Sequence, residues 1–322
     1  MVLRIKFTDF WRGFDPHKSF VIDAIRDSLD YRLVDHDPDF LVYSVFGARH
    51  RAHPDAVKIF YSGENRAPHF GECDYALGCD FIDFGDRYCR LPLSLTWIRL
   101  GELHDRPVIT PDDLEQKRRF CNFIYSNANV DPIRDRFFRL LNARRHVDSA
   151  GRHLTNTDAL DAGPDPSGGA SRKLRYQAQF RFTIAFENSS YPGYTTEKLY
   201  HAFAARTVPI YWGNPRVARD FSAAAFLNAH ECSGLEELAD RVIALDDDPA
   251  ALLRMLNEAP IATDAVDHRK RAQDFLHSIF GQEPRAARRR PTHGWSREHE
   301  HRVARRHRGM LGRVVRKIGP IS

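Results

Sequence analysis

FENSSYPGYTTEKLYHAFAARTVPIYWGNP, residues 186–215, is the stretch that decides the fold. It closes an apolar, β-rich run, FRFTIAFEN (180–188), and breaks it at Asn188, Ser189, Ser190, Tyr191, Pro192 and Gly193. Those residues form turns, so a loop follows the strand's C-terminal end. Thr195 or Thr196 then stands where a helix N-cap belongs, and TTEKLYHAFAAR carries the helical pattern. VPIYWG (208–213) is apolar again. Strand, helix, strand over so short a span is the unit of a parallel sheet.

The start of that helix carries a chemical load. Unpaired N–H groups and the positive end of the helix dipole suit a phosphate. Lys198 adds a full positive charge in the first turn, where the dipole disfavours a cation, so an anionic partner is called for. Glu197 beside it suits sugar hydroxyls. A capped helix with a solvated Glu–Lys pair is the plainer reading of the same residues.

The β-α-β rhythm extends in both directions. VLRIKF, DFLVYSVFG, AVKIFYSG, DYALGCDF and YCRLPLSL read as strands, with SFVIDAIRDSL a helix at the spacing Val21, Ile22, Ile25, Leu29. RPVITPDD (106–113) is a polar, proline-marked boundary. Beyond it RRFCNFIYSN is a strand, PIRDRFFRLLNAR a helix, 155–171 a loop, and GLEELADRVIALDDD and PAALLRMLNEAP two further helices. The expected architecture is α/β with two Rossmann-like halves facing across a cleft, where such proteins bind nucleotides. The expected units are 1–110, 111–280 and a basic tail, 281–322.

Composition narrows the function classes. The 322 residues are 42% hydrophobic and 28% charged, ordinary for a globular chain. No run approaches the roughly 20 apolar residues of a membrane span. MVLRIKFTDFW has no apolar signal region, so a cytoplasmic location is expected. Cys73, Cys79, Cys89, Cys121 and Cys232 form no C-x-x-C pair and read as reduced thiols. The 16 histidines show no zinc-hydrolase spacing. Residues 281–322 carry 12 Lys and Arg against 3 acids, while 1–280 carry 36 against 40. The basicity therefore belongs to the tail and does not mark the body for nucleic acid, which is not an expected partner. The tail is either a basic amphipathic segment lying on an anionic membrane or a solvated extension.

Two other loops carry candidate chemistry. FYSGENRAP places Glu64 after a strand, at the edge that faces a cleft, where it can accept a proton from a substrate hydroxyl or stand solvated. YSNANVDPIRDRFF sets Asn127 and Asn129 before a helix and Arg134 one turn into it. That guanidinium either braces a diphosphate or pairs with Asp131 or Asp135. Asp246, Asp247 and Asp248 read as a helix-start acidic cluster rather than a metal site.

With these stretches quoted, the chain resembles the α1,3-fucosyltransferases of glycosyltransferase family 10, close to the bacterial members. The resemblance is carried by residues 186–215 nearly position for position. It extends over FYSGENRAPHF, CDYALGCDF, RYCRLPLSL and SNAN with its following Arg, about Leu3 to Phe280. It implies a GT-B fold and inverting transfer of fucose from GDP-fucose, usually to O3 of N-acetylglucosamine in a lactosamine-type glycan. It implies Glu64 as general base, and Arg134 and Lys198 on the diphosphate. Glu187, Asn188, Tyr194, Thr196 and Glu197, with Asn127 and Asn129, fall on the donor side, and Asn65 and Trp11 on the acceptor side. Trp11 either stacks on a sugar or belongs to the core. Thr195 stands where many members have Val. No essential metal is expected, with Mn2+ or Mg2+ at most stimulatory. A lipid-linked acceptor would suit a tail lying on the cytoplasmic face of the inner membrane. Another nucleotide-sugar transferase, or a sugar-nucleotide-binding protein without turnover, are the competing readings.

Overall fold

A computed structural model describes residues 2–96, 103, 106–160, 169–262 and 267–290. In the first half, β1 (Leu3–Thr8), α1 (Phe20–Ile25), β2 (Tyr31–Leu33), β3 (Phe40–Tyr43), β4 (Val57–Tyr61), β5 (Tyr75–Gly78) and β6 (Tyr88–Arg90) follow in order. The strands form one sheet in the order β2-β1-β3-β4-β5-β6, every pair parallel. All residues of β3 and β5 are buried, as expected of parallel strands covered on both faces. Because the strands are parallel, the loops after β1, β3, β4 and β5 emerge along one edge.

The second half comprises α2 (Leu93–Thr96), α3 (Pro111–Gln116), β7 (Arg119–Phe123), α4 (Ile133–Arg144), β8 (Val147–Ser149), α5 (Gly169–Gln177), β9 (Phe180–Phe186), α6 (Glu197–Ala204), β10 (Val208–Trp212), β11 (Leu227–Asn228), α7 (Leu235–Asp246), α8 (Pro249–Asn257) and α9 (His268–Phe280). Its sheet runs β11-β10-β9-β7-β8, again parallel throughout. The three aspartates at the end of α7 serve the fold. Asp246 pairs with Arg145 and Arg181, Asp247 with Arg145, and Asp248 caps α8 by accepting from Ala251 N at 2.9 Å. The five cysteines are unpaired. Among the described residues no helix is long and apolar enough to cross a membrane.

The structure departs from the sequence reading in several places. YCRLPLSL is a strand only to Arg90; Pro92 ends the extended run and Leu93–Thr96 is helical. The loop read over 155–171 gives way to α5 at Gly169. The larger difference concerns the ends of the units. α9 crosses back to the first half, where Ala272, Leu276, Ile279 and Phe280 join the core built from Leu3, Ile5, Phe40, Val42, Val57 and Ile59. The start of the basic tail is also part of the fold. Ala287 is buried in that core, and Arg290 lies against the buried carboxylate of Asp74 at 2.8 Å. Residues 291–322, which hold the rest of the expected tail, lie outside the described residues.

A charged network shapes the loops after β1 and β3. Asp9 (φ 60°) accepts from the backbone N–H groups of Arg49 and His50, both at 2.9 Å. The His50 ring lies between carboxylates, Nδ1 2.7 Å from Asp9 and Nε2 3.0 Å from Glu72, and Arg51 holds the other Glu72 oxygen at 2.6 Å. The His50 hydrogen bond, against the cost of burial and with help from Arg51, takes the Glu72 carboxyl down to about 2 from an ordinary 4.5. A carboxyl depressed in the folded state stabilises above its unfolded pKa, and that contribution is lost as pH falls through the folded value. The thermal midpoint is therefore expected to fall steeply between about pH 4.5 and 2. Glu72→Gln should lower the midpoint at pH 7 and flatten that descent; parallel curves for the two proteins would refute the assignment.

Candidate active site

The loop that breaks the strand before α6 is fastened to both halves. Gly193, at φ 96°, donates its N–H to Asn214 Oδ1 at 2.8 Å. Tyr191 donates its hydroxyl to Asp80 Oδ1 at 2.7 Å, and Asn65 donates to Ser189 Oγ at 2.8 Å. Ser94 N–H donates to the Thr195 carbonyl at 3.2 Å. Asp80, Asn65 and Ser94 belong to segments of the first half and its exit, so the loop ties the two halves together. A Cβ at Gly193 would lie 2.0 Å from the Cys79 carbonyl oxygen, on a backbone conformation that L-residues rarely adopt. Gly193→Ala is therefore expected to cost about 1–3 kcal/mol. Thermal unfolding measures it; an unchanged midpoint would show that the loop is not seated on Cys79.

At the start of α6 the structure answers the demand of Lys198 for an anion from inside the protein. Glu187, fully buried, accepts from Thr196 N–H and Thr196 Oγ1, both at 2.7 Å, and from Lys198 Nζ at 3.0 Å. Lys198 also donates to Thr196 Oγ1 at 2.8 Å and lies 3.6 Å from Glu197. Burial pulls the Lys198 ammonium down, but Glu187 and Glu197 outweigh it and hold its pKa above the ordinary lysine range. Thr196 occupies the N-cap position without capping through its side chain, because its hydroxyl is committed to Glu187. Neither threonine is thus the hydroxyl cap that the sequence suggests. Thr195 is buried and accepts from Asn214 Nδ2 at 3.1 Å, with Tyr211 Oη 3.3 Å away. A valine would leave both groups short of that partner.

Arg134 is fully buried in the first turn of α4. It donates through Nη2 to the Asn127 carbonyl, lies 4.2 Å over the Tyr125 ring, and has Asp135 3.7 Å from Nε. Its Nε and Nη1 have no hydrogen-bond partner among the described residues, and burial lowers its pKa. Asn127 and Asn129 lie exposed on the loop above, with Asn127 Oδ1 accepting from Asn129 N–H at 2.9 Å. The same loop reaches the α6 side through Asp131 N–H, which donates to the Asn188 carbonyl at 3.1 Å.

Glu64 is exposed on the loop after β4, its N–H held by Ser62 Oγ at 3.0 Å. It lies within electrostatic reach of the second half. Burial raises the pKa of the Tyr194 hydroxyl, and the charges of Glu187, Glu64 and Glu197 raise it further. Tyr194 thus feels the charge of carboxylates from both halves. Asn65 spends its amide on Ser189. Trp11 is 53% exposed, edge-on to Phe14 and Phe46 at 4.9 and 6.2 Å, so it caps an aromatic cluster and is not core. Asp80 was not among the expected site residues, although it follows β5 at the same edge as Glu64; its Oδ2 is buried without a partner among the described residues.

This geometry meets matching relatives. The Alpha-(1,3)-fucosyltransferase FucT N-terminal domain matches residues 5–97, and Glycosyltransferase family 10 (fucosyltransferase) C-term matches 114–258. Alpha-(1,3)-fucosyltransferase FucT of Helicobacter pylori is 32% identical over 243 residues, 66% of this chain and 49% of that protein. The 3-galactosyl-N-acetylglucosaminide 4-alpha-L-fucosyltransferase FUT3 of Bos taurus is 33% identical over 151 residues, 46% of this chain and 38% of that one. The chain spans about half the length of the first of these relatives or less. A crystal structure of an α1,3-fucosyltransferase with GDP-fucose superposes with a TM-score of 0.70 at 25% identity, covering 87% of this chain and 91% of its own.

Proposed function

Because the chain belongs to glycosyltransferase family 10 and has the GT-B fold, we propose that it transfers L-fucose from GDP-fucose, with inversion, to a glycan hydroxyl. The observation that carries this reading is Arg134, a buried guanidinium whose Nε and Nη1 have no hydrogen-bond partner among the described residues, on the helix that follows the loop joined to Asn188 through Asp131. A buried cation with open donors is costly unless an anionic ligand completes it. A nucleoside diphosphate is such a ligand. Arg134 meets the diphosphate, and Lys198 adds its charge at the helix start. Tyr194, Asn188 and Glu197 border the sugar, while Glu187 and Thr196 hold the corner from beneath. The guanine and fucose identities rest on the resemblance and on the relatives.

In the reaction Glu64 takes the proton of the acceptor hydroxyl as its oxygen attacks the anomeric carbon. The bond to the diphosphate breaks on the opposite face and GDP leaves with the electron pair. Cationic side chains stabilise the charge on the leaving group, so no protonating acid is needed, unlike glycoside hydrolysis. In this reading a metal is not required, and Mn2+ or Mg2+ only stimulates. The acceptor is of the N-acetyllactosamine type, fucosylated at O3 of N-acetylglucosamine, with Trp11 stacking on it. Residues beyond Arg290 rest on an anionic, cytoplasm-facing membrane where lipid-linked acceptors lie.

The test is binding, then turnover. GDP is expected to bind, with UDP and CMP far weaker, and GDP to be released from GDP-fucose when N-acetyllactosamine is added. Preference for UDP would replace the donor. Tight GDP-fucose binding without transfer to any glycan would leave a binding protein.

A further inference from the structure

Asp135 follows Arg134 in α4 and also stands beside it in space. Its Oδ1 lies 3.7 Å from Arg134 Nε, too far for a hydrogen bond and near enough for strong attraction. Both atoms are buried, and among the described residues neither has a hydrogen-bond partner. The guanidinium does not depend on Asp135 for its direction. Nη2 donates to the Asn127 carbonyl, and the group lies 4.2 Å over the Tyr125 ring, whose hydroxyl accepts from Phe186 N–H at 2.7 Å. The carboxylate is held from its other side, with His153 Nε2 2.8 Å from Asp135 Oδ2. The His153 backbone is tied down in turn. Its N–H donates to the Tyr125 carbonyl at 2.9 Å, and its carbonyl accepts from Ser149 Oγ at 3.2 Å. His153 thus takes one carboxylate oxygen and leaves Oδ1 to Arg134.

We infer that Asp135 is an internal stand-in for the diphosphate, a fixed anion that offsets the Arg134 charge in the ligand-free protein and opposes the phosphates of the nucleotide when they arrive. This rests on the donor reading above, in which Arg134 meets the diphosphate. A buried guanidinium with open donors is costly, and a carboxylate 3.7 Å away lowers that cost without using up Nε or Nη1. The same negative charge repels phosphate oxygens that approach those donors. Asp135 therefore stabilises the empty protein and lowers its affinity, setting how tightly donor and product GDP are held.

The experiment is calorimetric titration of GDP and of guanosine into wild type and Asp135→Asn, with the ligand-free unfolding midpoint of each. Asparagine keeps the shape of the side chain and a partner for His153, and removes the charge. One charge at such close range, in a medium of effective dielectric about 20, is worth about tenfold or more. Asp135 is 20% exposed, and solvent screens part of that, so GDP is expected to bind Asp135→Asn ~3–10-fold more tightly than wild type. Guanosine should bind as before, and the ligand-free midpoint should fall. Damage to the site would weaken binding, so a gain confined to the phosphorylated ligand reports the charge. GDP affinity unchanged or reduced in Asp135→Asn would overturn the inference. So would an equal gain for guanosine, or an unchanged ligand-free midpoint. Should the asparagine variant fail to fold, Asp135→Ser takes its place with the same outcomes. Wild type that binds no GDP would instead sink the donor reading itself, so the two failures are told apart.

Discussion

Glu64→Gln is expected to lower the turnover of GDP-fucose by ~10²-fold or more while GDP-fucose remains bound. The amide keeps the size and shape of the side chain. It also leaves untouched the contacts that place the loop: Glu64 N–H on Ser62 and Asn65 on Ser189. What it removes is the capacity to take a proton, which an attacking hydroxyl requires and a bound donor does not. A loss of 10² corresponds to about 2.7 kcal/mol in the barrier. Donor affinity should hold because Glu64 belongs to the first half, while Arg134, Lys198 and Glu187 belong to the second. GDP release gives kcat, and calorimetry on the same preparation gives the dissociation constant. An equally active variant would remove Glu64 from the chemistry. The next candidate would be Asp80, whose Oδ2 has no partner among the described residues and which follows β5 at the same edge of the sheet.

How much of this was legible in the sequence depended on whether a signal was local. Strands such as β3, β9 and β10 are continuous apolar runs because parallel strands are covered on both faces, so FLVY, FRFTIAF and VPIYW announce themselves. β8 and β11, of three and two residues, are too short to carry a period. α9 has the helical spacing Ala272, Leu276, Ile279, but nothing local says that this face returns to the first half's core. The site divides the same way. Glu64, Arg134 and the 186–215 loop stand out by position after strands; the structure ties the 186–215 loop to Asn65, next to Glu64, and to Asp131, on the loop before Arg134. The pairing of Lys198 with Glu187 was hidden, because eleven residues and a loop separate two groups that only the folded turn brings within 3.0 Å. Sequence spacing shows a charge; it does not show who has already answered it.

A chain ending at Phe280 is expected to be strongly destabilised, and one ending at Arg290 to fold as the full chain does. Asp74 is completely buried and accepts from Lys58 N–H at 2.7 Å, Arg289 N–H at 2.9 Å, Arg290 N–H at 2.8 Å and Arg290 Nε at 2.8 Å. Arg290 also donates to the Ala56 carbonyl at 2.7 Å, and Ala287 fills the core beneath. Ending at Phe280 strips three of those four donors from a buried carboxylate. Removing one side of a buried pair costs about 3–5 kcal/mol. For a domain of this size that is a fall of roughly 6–20 °C in the unfolding midpoint. Equal midpoints for the two truncations would show that residues 281–290 are not part of the fold. The Arg290 truncation also isolates the membrane proposal, since it removes most of the basic tail and none of these contacts. If the tail meets an anionic surface, the full chain pellets with anionic vesicles at low salt and not at high salt, while the truncated chain stays in solution. If both pellet alike, the attraction lies elsewhere on the surface. The arginines beyond 290 would then have no part in it, and Arg290 itself would remain what the geometry makes it, a counter-ion within the fold.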